Sequence, residues 1–134
     1  MSLDYGDKRT GVAISDPLQM ISYPLCTIDR NNLIDEILKI INDKKIEKIV
    51  IGLPLSMSGN FSEQTKKVLE FKDLLEQNLL SNDINIIIDT IDERMSSISA
   101  KNEMIKQGIK TGHNKGMVDQ LSASIMLQEY LDSN

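Results

Sequence analysis

Four acidic residues stand where packing explains them poorly. Asp4 closes a short apolar run and is followed at once by Gly6; Asp92 and Glu93 follow an apolar segment that starts near Asn85; Asp119 lies near the start of the last apolar-periodic stretch. A buried carboxylate without a partner costs several kcal/mol. Two carboxylates about 4 Å apart repel by roughly 4 kcal/mol at an effective dielectric near 20, so a shared pocket requires a cation. Hard oxygen ligands select Mg²⁺ or Mn²⁺, and a lone His113 with a lone Cys26 makes a zinc site improbable. An all-carboxylate pocket suits metal-assisted phosphodiester hydrolysis, in which one metal activates a water and a second stabilises the leaving oxygen. Each acid also has a bland explanation. Asp4 and Asp7 serve as turn formers, Asp92 and Glu93 as a solvated loop, and Asp119 as a first-turn acid favoured by the helix dipole. What separates the two readings is whether the fold brings Asp4, Glu93 and Asp119 to one place.

The elements that would do so follow from periodicity. Leu3 to Ser15 reads as a strand end, a tight turn with Gly6 and Gly11 on its flanks, and a second strand from Thr10 to Ser15. Asp16-Pro17 ends that strand. Ile21 to Ile28 gives a third strand, which Pro24 places at a sheet edge. Asn31 or Asn32 caps a helix carrying Leu33, Ile34, Ile37, Leu38 and Ile41 at helical spacing. Lys48 to Leu53 is a continuous apolar run of the buried parallel type, left through a polar loop from Gly52 to Asn60. Ser62 and Glu63 open a helix with Val68, Leu69, Phe71, Leu75 and Leu79 on one face. A strand over Asn85–Asp89, a helix from Ser96 or Ser97 to Gly108, and a last helix from Gly116 to Leu131 complete the chain. That last helix is expected to bury Val118, Leu121, Ile125, Met126 and Tyr130. The order β-β-β-α-β-α-β-α-α predicts an α/β fold, a mixed five-stranded sheet with helices on both faces. Ligands of such sheets sit beyond the carboxyl ends of the parallel strands, where Asp4, Glu93 and the Leu53–Asn60 loop can converge.

Size and charge narrow the class. The 134 residues suit a single domain spanning 1–134. One cysteine excludes an internal disulfide, no apolar run is long enough for a membrane span, and a cytoplasmic protein is the expectation. A net charge of −5 argues against non-specific coating of nucleic acid, but not against one local basic patch beside an acidic pocket. Lys101, Lys106, Lys110, His113 and Lys115 gather before the last helix, and Lys8 and Arg9 sit in the turn after Asp4. These, with Ser56 and Arg94, are candidates to hold a phosphate backbone; the alternative is a solvated surface.

Four motifs carry a family resemblance. Asp4 to Pro17, Gly52 to Gly59, Asp92 to Ser97, and Asn114 to Asp119 running on to Ser122–Gln128 resemble, in order and across nearly the whole chain, the YqgF (RuvX-like) family of RNase H-fold nucleases. The resemblance implies that Asp4, Glu93 and Asp119 are the catalytic, metal-binding acids. It implies a cytoplasmic nuclease for the 5′ end of pre-16S ribosomal RNA, or a Holliday junction resolvase acting on branched DNA, as monomer or homodimer. Asp7, Ser56 and Ser58 depart from the family's usual residues. Two rival classes remain. An actin-like kinase would need a second lobe and a second aspartate-glycine turn. A non-catalytic nucleic-acid-binding module of the same fold would not need to keep all three acids.

Overall fold

The computed structural model describes residues 1–56, 58–93 and 115–133. Five strands, β1 (Ser2–Asp4), β2 (Arg9–Ser15), β3 (Ser22–Asp29), β4 (Lys48–Leu53) and β5 (Ile87–Asp92), form one sheet in the order β3-β2-β1-β4-β5. The first three make an antiparallel meander, and β1, β4 and β5 run parallel. Among the described residues, three α-helices pack on it: α1 (Leu33–Lys44), α2 (Glu63–Ser81) and α3 (Lys115–Asp132). The helix expected from Ser96 to Gly108 lies outside the described residues.

Local chemistry accounts for the boundaries. β3 is an edge strand, and its register against β2 shifts between Val12 and Ala13, where Pro24 faces Ala13. A bulge at an edge is where a strand tolerates proline. The Asp16 carboxylate accepts bonds from the backbone N–H of Met20 and Ile21, which close the β2–β3 turn and hold its pKa below the usual 3.8. Lys45 ends α1 in the left-handed conformation, φ 53°. Ser62 caps α2 through a reciprocal box with Thr65: Thr65 N donates to Ser62 Oγ, and Ser62 N donates to Thr65 Oγ1.

The two faces of the sheet differ. Leu3, Val12, Ile14, Ile49 and Ile51 face α1 and α2, and join Leu33, Ile37, Ile41, Val68, Phe71, Leu75 and Leu79 in one aliphatic core. Among the described residues, the other face receives α3, through a small cluster of Ala13, Ala123 and Leu127.

Three boundaries and faces differ from expectation. β5 runs to Asp92 instead of stopping at Asp89, because ladder pairing continues through Val50–Asp89 to Leu53–Asp92 regardless of side-chain polarity at an exposed edge. Asp119 is the fifth residue of α3, beyond its first turn, so the helix dipole does not explain it. The buried face of α3 is also rotated. Ser122, Ala123, Ser124, Met126 and Leu127 are buried, whereas Val118, Leu121, Ile125 and Tyr130 are only half-buried. Small residues face the sheet because α3 approaches it closely. Ser2 Oγ donates to Ala123 O at 2.7 Å and Ser22 Oγ to Ser124 O at 2.6 Å.

Candidate active site

The site is organised by one row of residues across the sheet. Asp4 pairs with Gly11 on β2, and the parallel register Leu3–Ile51 places the next residue pair, Asp4 and Gly52, side by side. Gly52 pairs in turn with Ile91 on β5. Side chains of one row share a face, and strand alternation puts this row on the α3 side, opposite to Leu3. Asp4 is therefore a half-buried carboxylate flanked by two glycines.

Both glycines are filled from above. A Cβ on Gly11 would overlap the backbone of Asp119 and Gln120, so α3 touches the sheet directly beside Asp4. A Cβ on Gly52 would overlap the Glu93 carboxylate and the Met126 sulfur. Glu93 is fixed there by its backbone N–H, which donates to Leu53 O at 3.1 Å. Gly11 is a strand residue here, and its need for glycine is this close approach; the positive φ expected of a turn is absent. Asp92 and Glu93, equivalent in the sequence, are now distinct. Asp92 is level with Leu53, one row further on, while the Glu93 carboxylate lies over the Asp4 row.

Asp119 reaches the same row by its backbone, and its carboxylate is held by Arg9. Arg9 Nε donates to Asp119 Oδ2 at 2.7 Å, with both side chains about 30% exposed. The start of α3 is anchored by Thr27, whose Oγ1 donates to Gly116 O at 2.6 Å and accepts from Gln120 Nε2 at 3.1 Å. Among the described residues no three His, Cys, Asp or Glu side chains are grouped closely enough to hold a metal ion. Asp119 is instead turned onto the Arg9 guanidinium. The donor set itself, three carboxylates at one sheet rim with a glycine cradle under Glu93, has the hard-oxygen chemistry that a divalent cation takes. Burial, with Glu36 nearby, pushes the Cys26 thiol up, away from the thiolate that a nucleophile or soft ligand uses.

The other candidates divide. Lys8 is exposed in the turn after Asp4. Ser56 closes its own loop: its hydroxyl accepts from Asn60 N at 3.0 Å and its backbone N–H donates to Asn60 O at 3.1 Å. Arg94, Lys110 and His113 lie outside the described residues, and so does the side chain of Lys115. Sequence reasoning missed the contact between Arg9 and Asp119, which are 110 positions apart. It also missed Arg30 and Lys67, which stand beside the turn that follows Asp4. The unusual acid at position 7 was the available signal for Lys67, which bonds its carboxylate; Arg30 bonds the backbone carbonyl of Asp7, which any residue would offer.

The chain is similar to known proteins over nearly its whole length. The family model described as "RuvX: Holliday junction resolvase" matches residues 1–133. A protein of Phocaeicola vulgatus named "Putative pre-16S rRNA nuclease" is 37% identical over 135 residues, covering 99% of this chain and 94% of that one. Proteins of the same name from Roseiflexus sp. and Clostridium botulinum (strain Hall) are 39% and 38% identical over 136 residues, and each comparison covers 99% of this chain. They are covered over 93% and 96% of their own lengths. Among solved structures, T. thermophilus RuvC in complex with a Holliday junction substrate superposes with a TM-score of 0.59 over 98% of this chain and 91% of that one. Its sequence identity is 10%, so this likeness is one of fold: the mixed sheet is RuvC-like, of the RNase H type.

Proposed function

This chain belongs to the RuvX family, and from that premise we propose a divalent-metal-dependent nuclease that trims the 5′ end of precursor 16S ribosomal RNA in the cytoplasm. The observation that carries the reading is the Asp4 row, in which two glycines admit the Glu93 carboxylate on one side and the Asp119 backbone on the other. Asp4, Glu93 and Asp119 would hold Mg²⁺ or Mn²⁺. When bound, such ions lower the pKa of a water to make the nucleophile and stabilise the departing oxygen.

The chain's own residues supply the rest. Gly11 and Gly52 keep the row narrow enough for carboxylates from three elements to share it. Arg9 steadies Asp119 through one charged hydrogen bond and, with Lys8, presents positive charge to the phosphate arriving at the rim. Partial exposure of both Arg9 and Asp119 leaves that pair weak enough to exchange for ligands. One active site suffices to trim an RNA end, so a monomer is competent.

A second reading, resolution of four-way DNA junctions, is favoured by the description of the family model. Two symmetric cuts require two active sites and hence a homodimer.

Cleavage of a labelled pre-16S 5′-leader RNA and of a synthetic four-way DNA junction tests both readings. Each substrate is incubated with Mg²⁺, with Mn²⁺ and with chelator, using wild type beside Asp4→Asn. The expected result is metal-dependent RNA trimming that disappears in the variant. Paired symmetric nicks in the DNA alone would transfer the assignment to the junction. Binding without metal-dependent cutting of either would overturn the nuclease reading.

A further inference from the structure

The turn that follows Asp4 has a second side. Across it from the catalytic row lies a hollow of about 570 Å³ lined by Tyr5, Asp7, Arg30, Lys67, Phe71 and Leu74. That size falls in the roughly 300–1,000 Å³ range of ligand sites. One wall is apolar: the Tyr5 ring stacks on Phe71 with centroids 4.4 Å apart, and Leu74 is left 49% exposed. The other wall is cationic, and its cations come from distant parts of the chain. Lys67, on α2, reaches Asp7 Oδ1 at 3.3 Å; Arg30, after β3, donates from Nη1 to Asp7 O at 3.4 Å and from its backbone N–H to Lys8 O at 3.0 Å. Glu70 completes the rim, so the formal charges balance while the turn's carboxylate stays in place.

That balance rests on an exposed pair. The Lys67 and Asp7 side chains are 48% and 57% exposed, and an ion pair so exposed contributes little. A phosphate oxygen presented to the same lysine makes an equivalent charged bond, and a guanidinium matches phosphate geometry. Tyr5 directly follows Asp4 but turns to the opposite face, against Phe71, so a strand that leaves the Asp4 row over this turn enters the hollow on its far side.

We propose that this hollow is the subsite for the RNA nucleotide flanking the scissile bond. Lys67 and Arg30 take its backbone phosphate, and the sugar and base lie against Leu74 and the Tyr5 edge. Asp7 occupies Lys67 in the absence of RNA, and so limits affinity. The inference rests on the nuclease reading and deepens it by naming where the substrate strand runs.

The test is equilibrium binding of the fluorescent pre-16S 5′-leader RNA across a salt series, in chelator, so that no cleavage is needed. Wild type is compared with the Arg30→Ala/Lys67→Ala double variant, with Asp7→Asn, and with Lys44→Ala/Lys45→Ala on another surface as control. All of these side chains are exposed, and circular dichroism verifies folding. The double variant is expected to bind severalfold more weakly and to flatten the slope of log Kd against log salt by about 0.7, the value for one lost phosphate contact to a single strand. Asp7→Asn is expected to bind a few-fold more tightly, and the control to match wild type. An unchanged slope in the double variant, equal or weaker binding by Asp7→Asn, or no binding by wild type would overturn the subsite. Failure of the nuclease reading shows differently, as intact salt-dependent binding with no metal-dependent cleavage.

Discussion

The two faces of the sheet are built from opposite materials. Towards α1 and α2, the chain buries Leu3, Ile49, Ile51, Ile37 and Leu75 with essentially no exposure. Towards α3, it offers Ser2, Gly11, Ala13 and Gly52, and holds the helix with hydroxyls donating to helix carbonyls. The first face is large, apolar and non-directional, which is what stability needs. The second is short-range and directional, and it fixes where Asp4, Glu93 and Asp119 stand. Among the described residues the second face pairs close backbone approach with acids, so the candidate site lies on the side with less apolar burial.

Substitutions that separate stability from activity sharpen this contrast. Leu75→Ala, in the aliphatic face, is expected to cost about 2–5 kcal/mol in denaturant unfolding. Cleavage per folded molecule stays near wild type, because Leu75 touches nothing in the Asp4 row. Gly52→Ala is expected to do the reverse. The added methyl meets the flexible ends of Glu93 and Met126, so unfolding changes by roughly 1–3 kcal/mol. Displacing the carboxylate by about 1 Å lowers kcat by roughly 10²-fold. Equal loss of activity in both variants would break the comparison.

Hydroxyl deletions give smaller effects of opposite sign on the two faces. Ser2→Ala removes a buried bond to Ala123 O and is expected to destabilise by about 1 kcal/mol. Thr10 is buried, and its hydroxyl has no hydrogen-bond partner among the described residues. Thr10→Val is therefore expected to stabilise by about 1 kcal/mol, read as a shift of the unfolding midpoint. A destabilised Thr10→Val would show that this face also depends on directional bonds.

What could be read in advance follows from range. Strand order, the helix order of the described residues, the edge position of the strand carrying Pro24 and the cap at Ser62 are local signals that appear in the fold. The face of α3 was not legible, because its own apolar residues point to Val118 and Leu121. The contact face is chosen by Ser2, Gly11 and Ala13, more than a hundred residues earlier. The end of β5 was misjudged because polar side chains at Asp89 and Asp92 disguised backbone pairing that depends on β4. The distinction between Asp92 and Glu93 depends on Gly52 lying below one of them, a relation that needs the parallel register. Arg9 was legible as a cation beside the site. Its partner was not, since an ion pair across 110 positions leaves no local pattern.

The most direct test of the α3 face as a metal-binding nuclease centre is calorimetric titration of Mn²⁺ in the absence of nucleic acid. Wild type is compared with Asp4→Asn, Glu93→Gln and Asp92→Asn, all verified as folded. Binding that weakens at least tenfold in Asp4→Asn and Glu93→Gln but holds in Asp92→Asn is the predicted result. Undiminished binding in Glu93→Gln, or its loss only in Asp92→Asn, would contradict the assignment of the site to the Asp4 row.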